Sequence, residues 1–126
     1  MSSSTFPTSF PASCPPATAA AASESVYRIV AGGVLSDDDF RSHNELGTAK
    51  AAPECSRCAL SVYNSFAGAL HRQNLSPHLG SAISEGILDV NAGVVELTSP
   101  RSGHVSWWSF DGVSRKTYFK DPTPCV

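Results

Sequence analysis

Along residues 26–63 the hydrophobic period switches between two and roughly 3.6, and each switch marks an element. The run Val26-Tyr27-Arg28-Ile29-Val30 alternates around β-branched residues and stops at Gly32-Gly33, the pattern of a strand. Ser36 then precedes three aspartates that suit the positive end of a helix dipole, and Asp39 falls where a capping box places its acid. A short helix is expected there, with Phe40 and Leu46 facing inward and Gly47 ending it. Residues 48–54 make an Ala/Pro loop, and residues 58–63 give a second strand with Leu60 and Val62 on one face. Asn64 or Ser65 caps a second helix through Asn74, in which Phe66, Ala69 and Leu70 recur at helical spacing. Ile83, Glu85 and Ile87 share one face of a third strand, where Gly86 argues against a rival helix. Asn91-Ala92-Gly93 is a turn, and residues 94–97 form a fourth strand.

Both tryptophans of the chain lie in the segment His104-Val105-Ser106-Trp107-Trp108-Ser109-Phe110. Asp111-Gly112 follows at once, the dipeptide that tolerates positive φ at both centres of a tight hairpin turn. The segment therefore predicts a strand that turns back into a partner at residues 113–119. Alternation puts His104, Ser106, Trp108 and Phe110 on one face and Val105, Trp107 and Ser109 on the other. Neither set is wholly apolar, so both faces are expected to be partly covered.

Strand, helix, strand, helix and a closing run of strands define an α+β domain. Its expected form is a mostly antiparallel sheet of about five or six strands with two short helices on one face. Composition sets its bounds at residues 26–121. Residues 1–25 are almost entirely Ser, Thr, Pro and Ala, with Phe6 and Phe10 the only large apolar side chains, so this arm is expected to be a disordered tail. Pro122 and Pro124 start a short C-terminal tail over residues 122–126. No Lys or Arg precedes Arg28, which speaks against a secretory signal and an Arg-rich transit peptide. No apolar run approaches the ~18 residues that span a bilayer, so no membrane partner is expected and the cytoplasm is the expected location.

Lys and Arg total 9 against 11 Asp and Glu, a net charge of −2 that does not favour nucleic acid as a partner. The four cysteines are Cys14, Cys55, Cys58 and Cys125. Without a secretion signal, reduced thiols are expected. Cys55-Ser56-Arg57-Cys58 has the spacing that lets two thiolates chelate one zinc ion, with His43 or His71 as further ligands. The same spacing suits a dithiol redox pair, but a strand rather than a helix is expected to follow it. Ordinary buried or loop cysteines are the reading preferred to both.

His43 sits in a polar run where Arg41 and Glu45, four apart on a helix, are expected to pair; the sharper alternative makes His43 a base oriented by Glu45. His71 near a helix C-terminus is explained by the dipole. His104 beside Trp108 forms a shelf able to stack a ring and offer a hydrogen bond, with Arg101, Arg115 and Lys116 as a basic rim. Against this stands the role of a Trp-Trp pair as core filling. Glu85, flanked on its face by Ile83 and Ile87, is an odd acid for a core.

No phosphate loop, GxGxxG, HExxH or GxSxG motif is present, and no serine can be matched to a histidine and a carboxylate by spacing alone. Three functions remain open. The first is a binding or interaction module that uses the aromatic hairpin face, with a protein or a small ring-bearing ligand as partner. The second is a small enzyme acting on a nucleotide-like or other ring-bearing ligand, with His104 as acid/base and Arg28, Arg101 or Glu85 nearby. The third is a zinc-stabilised fold through Cys55 and Cys58. The ligand-binding set is accordingly His104, Trp108, Arg101, Glu85 and Arg115.

Overall fold

The computed structural model describes residues 5–125. The strands are β1 (Ala20–Ala21), β2 (Glu24–Val30), β3 (Leu60–Tyr63), β4 (Ala82–Leu88), β5 (Gly93–Ser99), β6 (His104–Ser109) and β7 (Thr123–Pro124). They make one seven-stranded antiparallel sheet in the order β1-β5-β6-β3-β2-β4-β7. Three short helices, α1 (His43–Leu46), α2 (Glu54–Cys58) and α3 (Phe66–Leu75), complete an α+β fold. The strand count exceeds the expected five or six because the short β1 and β7 extend the two edges.

Strand alternation divides the core between the two faces of the sheet. Val26, Val30, Leu60, Val62, Val105 and Trp107 join the principal cluster, closed by Phe40, Leu88 and Phe119. On the opposite face Tyr63 and Ile83 pack with Ala69 of α3, and Tyr27, Ile29 and Leu70 flank them. Ser65 starts α3 as expected, its hydroxyl accepting the Gly68 N–H at 3.0 Å. Gly86 in β4 lies under the Phe119 ring, where a Cβ would come within 2.6 Å of the ring carbons, so the glycine that weakens the strand admits the aromatic lid.

The expected first helix is broken into two turns. A 3-10 turn spans Asp37–Phe40, held by the Ser36 N–H donating to Asp39 Oδ2 at 2.9 Å, and α1 follows after an extended Arg41. Gly47 closes α1 in the left-handed conformation (φ 71°), as the sequence implied. The break turns Leu46 outward, 54% exposed, instead of into the core. It also separates Arg41 from Glu45: Arg41 pairs with Asp38 at 2.7 Å, and Glu45 takes a two-pronged ion pair from Arg115 at 2.7 and 3.1 Å.

Asp111-Gly112 does not close a hairpin. The chain turns there into a 3-10 helix at Arg115–Tyr118, and β6 pairs with β3 and β5 instead. Both neighbours of β6 are thus already in place, so residues 113–119 cannot pair with it, and Phe119 instead bridges Gly86 of β4. The hairpin that does form joins β5 to β6 through residues 100–103.

The folded body begins earlier and ends later than composition suggested. Residues 1–4 and 126 of the two expected tails lie outside the described residues. From Thr5 onward, Phe6 stacks on Phe10 and meets Phe110 at 4.9 Å between ring centroids, Ala22 is fully buried, and β1 pairs with β5. A Cys14–Cys55 disulfide across 41 residues anchors this segment, which supplies the constraint that its few apolar side chains lack. At the other end β7 pairs with β4, and the Cys125 N–H donates to Ser81 O at 3.0 Å.

Candidate functional site

Between β2 and β3 the sheet opens. The two strands register only at Tyr27 and Tyr63, whereas β2 pairs with β4 along its whole length. Arg28 spans the opening. Its Nε donates to Asp39 O at 2.7 Å and its Nη1 to Ser61 O at 2.8 Å, with the guanidinium 5.8 Å from the Phe40 ring centroid. Burial pushes the Arg28 pKa down to about 10, partly offset by the nearby Asp39, so the group stays cationic at neutral pH.

A groove of about 950 Å³ enters at this opening, bounded by the 37–46 turns, the exposed edge of β3, and α3. That volume is within the range of small-molecule sites, about 300–1,000 Å³. Its polar floor carries Arg28, Ser61, Tyr63 and His104; Leu46, Leu75 and Leu79, each more than 40% exposed, form an apolar rim. Three arginines (Arg28, Arg41, Arg72) and two aspartates (Asp38, Asp39) line it. Both aspartates are engaged, Asp38 by Arg41 and Asp39 by the N–H groups of Ala31 and Ser36 at 2.9 Å each. The Arg72 side chain has no ion pair or hydrogen bond among the described residues. Amide N–H groups leave Asp39 its negative charge, which opposes Arg28, so the uncompensated positive charge of the groove is that of Arg72.

His104 is held on three sides. Its Nε2 lies 3.0 Å from Ser61 Oγ, its Nδ1 meets Thr98 Oγ1, and its ring sits edge-on to Tyr63 with centroids 5.5 Å apart. Thr98 is the extra residue of a bulge where the β5–β6 register shifts between Leu97 and Ser99. Bulges re-aim single side chains, and this one brings a hydroxyl to the imidazole. The Thr98 hydroxyl also lies 3.2 Å from His104 O, and when it donates there its oxygen accepts from Nδ1–H. That assignment places the Nε2 lone pair toward Ser61. Burial, and then the charge of Arg72, lower the His104 pKa from its ordinary value, so the ring is neutral at pH 7.

Of the residues expected to bind a ligand, His104 alone lines this groove. Trp108 is 3% exposed, packed with Cys58 and Ala59 beneath Phe6 and Phe10, and its Nε1–H donates to Cys55 O at 3.0 Å. The N-terminal segment occupies the place expected for a stacked ring, so Trp108 offers no open shelf. Arg101 lies exposed in the 100–103 loop, outside the residues lining the groove. Glu85 is partnered on β4, accepting from Tyr27 Oη at 3.2 Å and pairing with Lys120 Nζ at 3.3 Å, which explains an acid between two isoleucines. Arg115 is held by Glu45 and lines a separate pocket of about 400 Å³ with Lys116.

The expected thiolate pair at Cys55 and Cys58 is replaced by the Cys14–Cys55 disulfide, and a disulfide sulfur is not a thiolate ligand. Cys58 is buried, which pushes its thiol pKa up. Both residues lie on α2 rather than in a loop, and the expected strand, β3, follows directly after Ala59. Among the described residues no group of three or more His, Cys, Asp or Glu is arranged to hold a metal ion. His43 bonds Thr48 Oγ1 through Nδ1 at 2.9 Å, while Glu45 is taken by Arg115.

Ser61, Thr98 and Arg72 went unmarked by the sequence. Ser61 is one polar position in an apolar strand and Thr98 acts only through a bulge, neither of which has a local signature. Comparison with protein families, with curated proteins and with solved structures returns no match for this chain. No helix among the described residues is long and apolar enough to cross a membrane.

Proposed function

We propose that this protein binds an anionic, ring-bearing small molecule of nucleotide size in the groove between β2 and β3. The observation that carries this reading is Arg72, whose guanidinium has no ion pair among the described residues, next to the His104 imidazole. A phosphate or carboxylate group is the natural counter-charge for the floor. The apolar rim at Leu46, Leu75 and Leu79 suits a ring or other apolar portion. The reading keeps His104 from the expected binding set and replaces Trp108 with the groove walls. The disulfide supports action in an oxidising compartment, since cytoplasmic thiols are held reduced.

Calorimetric titration with adenosine diphosphate tests it, with adenosine and inorganic pyrophosphate in parallel. Saturable binding of the diphosphate is expected, weakened about tenfold or more in Arg72→Ala, the scale of one lost charge-assisted hydrogen bond. Equal affinity in wild type and Arg72→Ala, or no binding at millimolar diphosphate, would reject the nucleotide-like ligand.

A further inference from the structure

We infer that Ser61 is a nucleophile with His104 as its base and Thr98 as the orienting group, and that the groove cleaves carboxylic esters that carry an anionic group. The three parts of an activated nucleophile are present together. Ser61 Oγ is exposed in the groove and 3.0 Å from His104 Nε2, within hydrogen-bond reach. Thr98 fixes the tautomer when it donates its own proton to His104 O and accepts from Nδ1–H. A hydroxyl here has the orienting place that a carboxylate has in the Ser-His-Asp arrangement. The two strands that carry Ser61 and His104 are hydrogen-bonded neighbours in register (Ser61 opposite Ser106, Tyr63 opposite His104), so a rigid ladder sets the pair. The bulge at Thr98 turns that hydroxyl to the ring.

The step balances on the groups present and water. Ser61 Oγ forms a bond to the ester carbonyl carbon as its proton passes to His104 Nε2. The C–O bond to the alcohol breaks, and the leaving oxygen takes that proton. Water then attacks the acyl-serine, again giving a proton to Nε2, which passes it to Ser61 Oγ as the acid departs.

The substrate class rests on the anion-binding reading of the groove, whereas the nucleophile does not. A biotinylated alkyl fluorophosphonate, small and uncharged, separates the two. Wild-type protein is expected to form one covalent adduct, mapped by peptide mass spectrometry to Ser61. Ser61→Ala is expected to form none, and His104→Gln to react on the order of 100-fold more slowly, the lower end of a general-base contribution. Thr98→Val is expected to slow labelling while Thr98→Ser restores it, with circular dichroism confirming that each variant is folded. Absence of an adduct on the wild type after hours at millimolar probe, or an adduct at another serine, overturns the proposal. Labelling at Ser61 without diphosphate binding keeps the nucleophile and removes the nucleotide-like ligand; binding without labelling leaves a groove that only binds.

Discussion

Trp107 and Trp108 are adjacent in the chain and buried in different clusters, 0% and 3% exposed. The Trp107 Nε1–H donates to Ala92 O at 3.1 Å, and the Trp108 Nε1–H to Cys55 O at 3.0 Å. Each indole therefore has its polar atom satisfied within the protein, the condition under which a buried tryptophan stabilises a core. The expected outcome is blue-shifted emission and weak quenching by acrylamide for both residues. Quenching close to that of the free indole for either would contradict this packing. Trp107→Ala, in the principal cluster, is expected to cost about 3–5 kcal/mol in a urea titration.

The covering of Trp108 depends on the segment anchored by Cys14–Cys55. Closing a 41-residue separation removes unfolded-state entropy, so Cys14→Ser or reduction is expected to destabilise the protein by about 2–4 kcal/mol. Because Phe6, Phe10, Cys14 and Ala19 of this segment pack in the Trp108 cluster and only Ala22 in that of Trp107, quenching should rise more in a Trp107→Phe background than in a Trp108→Phe background. Equal rises in both would show that the whole fold loosens instead.

How far the sequence reached follows from which residues are governed locally. The cap at Ser65, the stop at Gly47 and the split of Trp107 from Trp108 depend on neighbours within a few positions, and alternation or capping reveals them. The Asp111-Gly112 turn has the local chemistry of a hairpin, yet β6 is flanked on both sides by strands distant in sequence. Tertiary pairing overrode the turn signal. The candidate site was legible only at His104 and, more loosely, Arg28. Its other parts come from a bulge, from an opening between strands and from a helix set across it, and a single sequence displays none of these. The N-terminal arm was read by composition, which weighs apolar area but is blind to a disulfide that compensates for little of it.

Gly86 gives a test of packing away from the groove. An added Cβ would sit 2.6 Å from the Phe119 ring, and that ring also meets Phe40 and Trp107 at 4.7 and 6.0 Å between centroids. The ring has no free side to retreat to, so Gly86→Ala is expected to destabilise by about 1–3 kcal/mol through overpacking. Combining it with Phe119→Leu should cost less than the sum of the two single changes in a double-mutant cycle. Strict additivity would mean that strand propensity, not the ring, governs this position.

His104 carries the pH dependence that bears most directly on the groove. Burial, followed by the charge of Arg72, lowers its pKa in the folded protein below the unfolded value of about 6.5. The unfolded chain then binds the proton more readily. Stability is therefore fully present above pH 6.5, and this group lowers it as pH falls from about 6.5 through the folded pKa. His104→Gln should flatten that part of the profile, measured as urea midpoints. In a proton-NMR titration of the ring, Arg72→Ala should raise the His104 pKa without restoring it fully, because burial is the larger cause. A bound anion should raise it as well, by supplying the opposite charge next to the ring. A free-protein pKa above 6.5 would contradict the burial of the ring, and one above the working pH would leave the imidazole charged between Ser61 and Thr98 with no lone pair for the serine proton.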